Sequence, residues 1–209
     1  MNTVADYLLQ IKAVKFNNQN PFTWASGRKS PIYCDNRVTL SYPEIRTYIR
    51  DQFVAIIREK YADVDVIAGV ATGGIAQGAL VAQILEKPFI YIRAEEKKHG
   101  MNNRIEGHIT AGQKVVVIED LVSTGKSSLL AVDALREANC EVLGMVAIFT
   151  YTLQTAIENF EKANVKLDTL TTYPILLKQA VAGGYVTESD FASLNEWSAN
   201  PEKWSNDRM

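Results

Sequence analysis

The sequence predicts an α/β fold built on a doubly wound parallel sheet, and three observations predict it. Between residues 41 and 171, strand-like apolar runs alternate with helical periodicities. Two of the runs, Val64–Val70 and Val115–Ile118, are rich in β-branched residues, as strands buried on both faces are. Each leads through a short loop of small residues and glycine into a helical pattern, and ligands of such sheets bind at the carboxyl ends of the strands.

In chain order, Val4, Leu8, Leu9 and Ile11 recur at helical spacing, which predicts an amphipathic helix over residues 3–15. Asn17–Pro21 reads as a loop. Phe22–Asp35 reads as two short strands around a turn at Ser26-Gly27, a hairpin whose Trp24, Tyr33, Arg28 and Lys29 suit either a lid over a planar anion or a surface turn with an aromatic anchor. Ser41-Tyr-Pro-Glu44 has the pattern of a capping box with proline near the helix start, and the apolar spacing continues that helix to about Tyr61. The strand Val64–Val70 ends at Ala71-Thr72-Gly73-Gly74-Ile75, ahead of a helix over 77–86. Pro88–Ile92 is the next strand. Residues 93–109 are long, charged and without periodicity; such a segment is a functional loop or a solvated surface. Val142–Phe149 predicts a buried strand, Leu153–Ala163 a helix and Val165–Leu170 an edge strand. Helices are predicted over 173–181 and 188–197, and a loosely ordered tail from Ser198.

The chemistry concentrates between Lys114 and Ser128. After the apolar run come two carboxylates, Glu119 and Asp120, then Leu121 and Val122, then a polar loop from Ser123 to Ser128, where a helical pattern opens. A loop at a helix N-terminus offers free backbone N–H groups and the positive end of the helix dipole to an anion, and Gly125 lets the backbone come close to it. Carboxylates repel phosphate, so Glu119 and Asp120 require hydroxyl groups or a divalent cation as partners. A phosphorylated sugar satisfies both halves of the motif. Gly125-Lys126-Ser127 imitates the end of an NTPase P-loop, but the first glycine of that motif would fall at Asp120.

The full string resembles the phosphoribosyl-diphosphate (PRPP) motif of type I phosphoribosyltransferases: apolar strand, Glu119-Asp120, two apolar residues, Ser123-Thr124-Gly125. The Phe-Thr-x-x-Ser-Gly-x-Lys-Ser-Pro string at Phe22–Pro31 is similar to the N-terminal hood of orotate phosphoribosyltransferases, and Tyr33 and Cys34 fall where that family contacts orotate. The turn at Thr72 and Gly73 resembles its diphosphate loop, with glycine where some members carry lysine. Arg93, Lys97 and His99 recur in the order of its catalytic loop. His108 lies past that pattern and reads as a surface histidine.

The resemblance spans nearly the whole chain. It implies a type I phosphoribosyltransferase core with an N-terminal hood, organised as one domain over 1–209, with the hood over 1–40, the core over 41–180 and a C-terminal helix and tail over 181–209. It implies transfer of the 5-phosphoribosyl group from PRPP to orotate, giving orotidine 5′-monophosphate and diphosphate in pyrimidine biosynthesis. The implied PRPP site is Thr72, Gly73, Arg93, Lys97, His99, Glu119, Asp120, Leu121, Val122, Ser123, Thr124, Gly125, Lys126 and Ser127, with Lys97, His99 and Asp120 catalytic. Orotate falls to Ser123, Tyr33 and Cys34. Mg²⁺ is the implied cofactor, held through the diphosphate and ribose hydroxyls without a direct protein ligand. The implied assembly is a homodimer in which loop 93–109 serves the partner's site. A phosphoribosyltransferase for another base, or an RNA-binding regulator on the same fold, are the competing readings.

A chain of 209 residues suffices for one core, and a net charge of −2 speaks against nucleic acid as a partner. Cys34 and Cys140 are far apart without metal-like spacing. No apolar run approaches the ~20 residues of a membrane span, and Met1–Gln10, with Asp6 and no basic start, lacks a signal-peptide pattern. A reduced, cytoplasmic setting is expected.

Overall fold

A computed structural model describes residues 3–24, 26–93 and 104–208. The chain opens with α1 (Thr3–Gln10), which buries Val4, Ala5, Leu8 and Leu9 and stops before the predicted end. Strand β1 (Val14–Phe16) pairs antiparallel with β4 (Ile32–Cys34). Between them lies the hairpin of β2 (Phe22–Thr23) and β3 (Lys29–Ser30). A 3-10 turn over Asn36–Ser41 precedes α2 (Pro43–Lys60). No capping box forms there: Ser41 ends the 3-10 turn, Tyr42 is the N-cap without a side-chain bond, and Pro43, which needs no N–H partner, starts the helix.

The core alternates as its apolar runs require: β5 (Val66–Val70), α3 (Gly73–Leu85), β6 (Phe89–Ile92), β7 (Ile105–Glu106), β8 (Lys114–Val122), α4 (Lys126–Glu137), β9 (Glu141–Thr150), α5 (Gln154–Lys162) and β10 (Leu167–Thr172). The sheet order is β10-β9-β8-β5-β6-β7, with every pairing parallel except β6 with β7. The expected edge strand is therefore β10, and the expected doubly wound sheet is present with one antiparallel strand at its far edge. The chain continues through α6 (Tyr173–Ala182), α7 (Glu188–Ala199) and α8 (Pro201–Asn206).

Central β8 decides the layering. Val115, Val116, Val117 and Ile118 are fully buried. Val115 and Val117 face a core shared with α4 and α5; Val116 and Ile118 face the larger core under α1, α2, α3, α6 and α7. Strand alternation thus fills two apolar layers from one run. The tail from Ser198 is not loose: Pro201 starts α8, Asn200 caps it by accepting from the Lys203 N–H, and Trp204 is buried in the larger core.

The start of α3 lies tight against the sheet. A Cβ on Gly74 would stand 2.3 Å from the Ile118 carbonyl oxygen, and one on Gly69 would stand 2.8 Å from the Gly74 carbonyl oxygen. Both obstacles are backbone and cannot rotate away. We therefore expect Gly74→Ala to lower stability in urea unfolding by about 3 kcal/mol, the upper range for overpacking. Gly112→Ala is the control: with φ +86° and open space around its Cβ position, it is expected to cost only about 1–2 kcal/mol of left-handed strain. Equal losses would show that the approach of α3 to β8 is not a packing constraint.

Candidate active site

Strand β8 outruns its neighbour. Its pairing with β5 ends at Gly69↔Ile118, whereas its pairing with β9 runs on to Val122↔Thr150. Glu119 and Asp120, expected just past the strand, are part of it. They sit where β8 has lost one neighbour, and the freed edge faces the turn of Ala71, Thr72 and Gly73. The Asn36 side-chain amide donates to the exposed Asp120 carbonyl at 2.6 Å and accepts from the Cys34 thiol at 3.2 Å. Asn36 is buried, so it closes a strand edge that would otherwise be an unpaired polar row.

A cleft of about 330 Å³ opens on this edge. Thr72, Gly73, Arg93, Glu119, Asp120, Leu121 and Ser127 line it, together with Cys34, Asp35 and Arg37. Of the predicted cations, Arg93 reaches the cleft and lies 3.5 Å from Glu106. Lys97 and His99 fall outside the described residues. Arg37 is a cation that the sequence reading did not nominate; its guanidinium is held on Asp35 at 2.7 and 3.0 Å. That fork holds the Asp35 carboxyl below its ordinary range. Only the spatial return of the chain after β4 brings Arg37 to the cleft.

The two carboxylates differ in setting. Asp120 lies over Gly73: a Cβ there would stand 2.1 Å from the Asp120 carboxyl carbon. Glycine at 73 thus leaves room for the carboxylate, which a lysine at that position would have to displace. Glu119 is 5% exposed; one oxygen accepts from Ser128 Oγ and the other from the Asp120 N–H, both at 2.9 Å. Burial, and then the charge of Asp120, raise its carboxyl well above the ordinary glutamate range. Ser128 was not nominated as a site residue, and its role is visible only from the carboxylate it caps.

The loop after β8 turns on Gly125, the N-cap of α4, at φ 78°; its Cβ position would meet the Phe160 ring at 2.7 Å. Asn159 of α5 steadies this loop by donating to the Thr124 carbonyl at 2.9 Å. Val122 is fully buried. Thr124 and Lys126 line a neighbouring cavity beside Asp133 and Asn159, which shares Leu130 with the cleft. Lys126, not Ser128, is the first helical residue.

A second cavity, of about 510 Å³, adjoins the first. Tyr33, Cys34 and Ser123 line it with Thr23, Trp24, Ser26, Leu121 and Tyr151. The two cavities meet at Cys34 and Leu121. Burial, followed by the charges of Asp120 and Asp35, pushes the Cys34 thiol up, so it stays protonated. Tyr151, unnominated, forms the floor, with ring centroids 5.1 Å from Trp24 and 5.5 Å from Trp197. The hairpin cations turn elsewhere: Arg28 lies 3.8 Å from Glu202, and Lys29 Nζ donates to Thr23 Oγ1 at 2.9 Å. His108 is exposed, as expected.

Among the described residues, no group of three or more His, Cys, Asp and Glu side chains is placed to hold a metal, and no helix is long and apolar enough to cross a membrane. The phosphoribosyl transferase domain model matches residues 41–169. An orotate phosphoribosyltransferase of Phocaeicola vulgatus is 55% identical over 96% of this chain and 94% of its own length. One of Porphyromonas gingivalis is 53% identical over 96% of both. Among solved structures, orotate phosphoribosyltransferase from Aeropyrum pernix matches with a TM-score of 0.77 and 28% identity, covering 88% of this chain and 99% of that one. Leishmania donovani UMP synthase matches with a TM-score of 0.79 and 26% identity; the alignment covers 93% of this chain but 41% of that larger protein.

The buried Glu119 carries a pH signature. Its folded-state value lies above the unfolded one of about 4.3, so its contribution is fully present below the unfolded value and is lost as pH rises through the folded value. Glu119→Gln removes that loss and keeps both hydrogen bonds, with Oε1 accepting from the Asp120 N–H and Nε2 donating to Ser128. We expect the variant to have a higher urea midpoint than wild type at about pH 8, with the gap narrowing toward about pH 5. A wild type equally stable at the higher pH would refute a strained, buried carboxylate.

Proposed function

The chain belongs to the phosphoribosyltransferase family, and we propose from that premise how its two cavities divide the work of an orotate phosphoribosyltransferase. It transfers the 5-phosphoribosyl group from PRPP to orotate, giving orotidine 5′-monophosphate and diphosphate in pyrimidine biosynthesis. The observation that carries the division is the junction at Cys34 and Leu121, where an aromatic-floored cavity meets a cleft lined by carboxylates and loop backbone.

Orotate occupies the cavity of Tyr33, Cys34 and Ser123, with Tyr151 beneath the ring. PRPP occupies the cleft. Its 5′-phosphate is held by the backbone N–H groups of residues 123–127 at the start of α4. Asp120 and Glu119 take the ribose hydroxyls. The diphosphate lies over the Thr72 and Gly73 amides, with Arg93, Lys97 and His99 supplying positive charge. As the bond from ribose C1 to diphosphate breaks, positive charge develops on the sugar and negative charge on the leaving group. The carboxylate of Asp120 stabilises the first, and the loop cations the second. In this reading Lys97 or His99 donates a proton to the departing diphosphate. No covalent nucleophile is required, which suits a protonated Cys34 thiol.

Mg²⁺ is part of this proposal, and it supplies further charge neutralisation at the leaving diphosphate. The donor set suits an ion carried by the substrate: Glu119 is buried and each of its oxygens already accepts a hydrogen bond, which leaves it poorly placed as a direct metal ligand. The site would work in the cytoplasm, where PRPP and a reduced thiol are available. A base panel of orotate, uracil, hypoxanthine, adenine and xanthine, with PRPP and Mg²⁺, tests the assignment. Orotate is expected to be the only efficient acceptor; comparable turnover of uracil or a purine would overturn it.

The proposed assembly is a two-fold homodimer in which loop 93–109 of one subunit completes the partner's PRPP site. Lys97→Ala and Asp120→Asn then damage the same composite site from different chains. Each variant alone is expected to be nearly inactive. When subunits of the two exchange freely, half of the dimers are mixed, and each mixed dimer has one intact and one doubly damaged site. Activity should recover to about one quarter of wild type. Activity that stays at the parental level, with exchange confirmed by a tagged pull-down, would place the loop in its own subunit's site.

A further inference from the structure

We propose that the C-terminal helices α7 and α8 set the affinity for the base by clamping the β2–β3 hairpin, with Ser205 as the positioning residue. This rests on the base assignment above. The hairpin supplies Thr23, Trp24 and Ser26 to the base cavity. It is two residues long on each side, pairs Phe22 with Ser30 and Thr23 with Lys29, and among the described residues joins no other strand. A ribbon of that size does not hold its own shape in water.

Within the hood, Trp24 Nε1 donates to the Ile32 carbonyl at 3.3 Å and the Phe22 ring meets Tyr33. Tyr151 packs on Trp24, and the C-terminus adds a further hold on the outer side. Ser205 is 1% exposed, and its Oγ accepts the Lys29 backbone N–H at 2.9 Å. The hydroxyl thus stands where a third strand would have accepted, on the outer edge of β3. The Trp24 ring packs edge-on against Trp197 of α7, with centroids 5.7 Å apart. The loop leading into the hairpin is tied to α7 by Asn18 Nδ2, which donates to Asp190 Oδ1 at 2.7 Å. Arg28 and Glu202, 3.8 Å apart and exposed, add little. The clamp is itself anchored independently of the hairpin: Trp204 is buried in the main core, and its Nε1 donates to Ser193 Oγ at 3.2 Å. A hydroxyl on a core-anchored helix therefore holds the hairpin that carries Trp24 to the base site, while no residue of α8 lines the PRPP cleft.

The test is steady-state kinetics of full-length Ser205→Ala and of a chain ending at Asn200, each with PRPP and Mg²⁺, beside thermal unfolding. Ser205→Ala is expected to raise KM for orotate about fivefold, the scale of one net hydrogen bond. KM for PRPP and kcat should stay within about twofold of wild type. The shortened chain should show the same split, larger. Should it fail to fold, Ser205→Ala alone decides. An unchanged orotate KM in Ser205→Ala, or orotate and PRPP KM values that rise together, overturns the clamp. A wild type that turns over another base and not orotate refutes the base assignment instead, and the same KM split is then read on that base.

Discussion

The site depends on how closely a helix can approach a strand. Helix α3 begins against β8 at a distance that admits no side chain: Gly74 faces the Ile118 carbonyl, and Gly69 on β5 faces Gly74 in turn. Because that contact is backbone on backbone, the amides of Thr72 and Gly73 come to stand beside the carboxylates of β8. Gly73 extends the same constraint one residue further, since its missing side chain is the space that Asp120 fills. A cleft that presents amides and carboxylates within one ligand's length follows from three glycines and the strand they touch.

The second consequence is electrostatic. Burying Glu119 costs stability, and the two hydrogen bonds from Ser128 and Asp120 offset that cost only in part, as the raised carboxyl value shows. A chain under selection for stability alone would place an apolar residue there. The carboxylate is fixed on a strand rather than on a loop, so its geometry is set before ligand arrives and little reorganisation remains. Asp120, on the same strand, lies over Gly73 and lines the cleft.

The hood and the C-terminus form one unit although they are the two ends of the sequence. Asn18 with Asp190, Trp24 with Trp197 and Lys29 with Ser205 join residues more than 170 positions apart. Such pairs have no sequence signature. A short alternating segment such as Phe22–Ser30 reads as a hairpin, but nothing in it says what covers its edge. The tail from Ser198 was expected to be loose as a chain terminus is; the tertiary core supplies a place for Trp204 that local pattern does not reveal.

Sequence by itself determined the layers and the motif. The β-branched run Val115–Ile118 requires a strand buried on both faces, the alternation with helices requires a doubly wound sheet, and Glu119-Asp120 before Ser123-Thr124-Gly125 places carboxylates and loop amides at its carboxyl end. These are local facts, fixed by side-chain type and period, and they transfer directly into structure. Tertiary structure alone decided which groups share a cavity. It set Lys126 and Thr124 in a cavity next to the cleft, brought Arg37 to the cleft itself, gave Asn36 the open edge of β8, Ser128 the Glu119 carboxylate and Tyr151 a place in the wall of the base cavity. The physical reason is that a side chain's direction depends on where its strand or helix ends and on what packs beside it. Those ends were set by pairing across the sheet, as when β8 ran on past β5 to Val122, and not by any residue read in isolation.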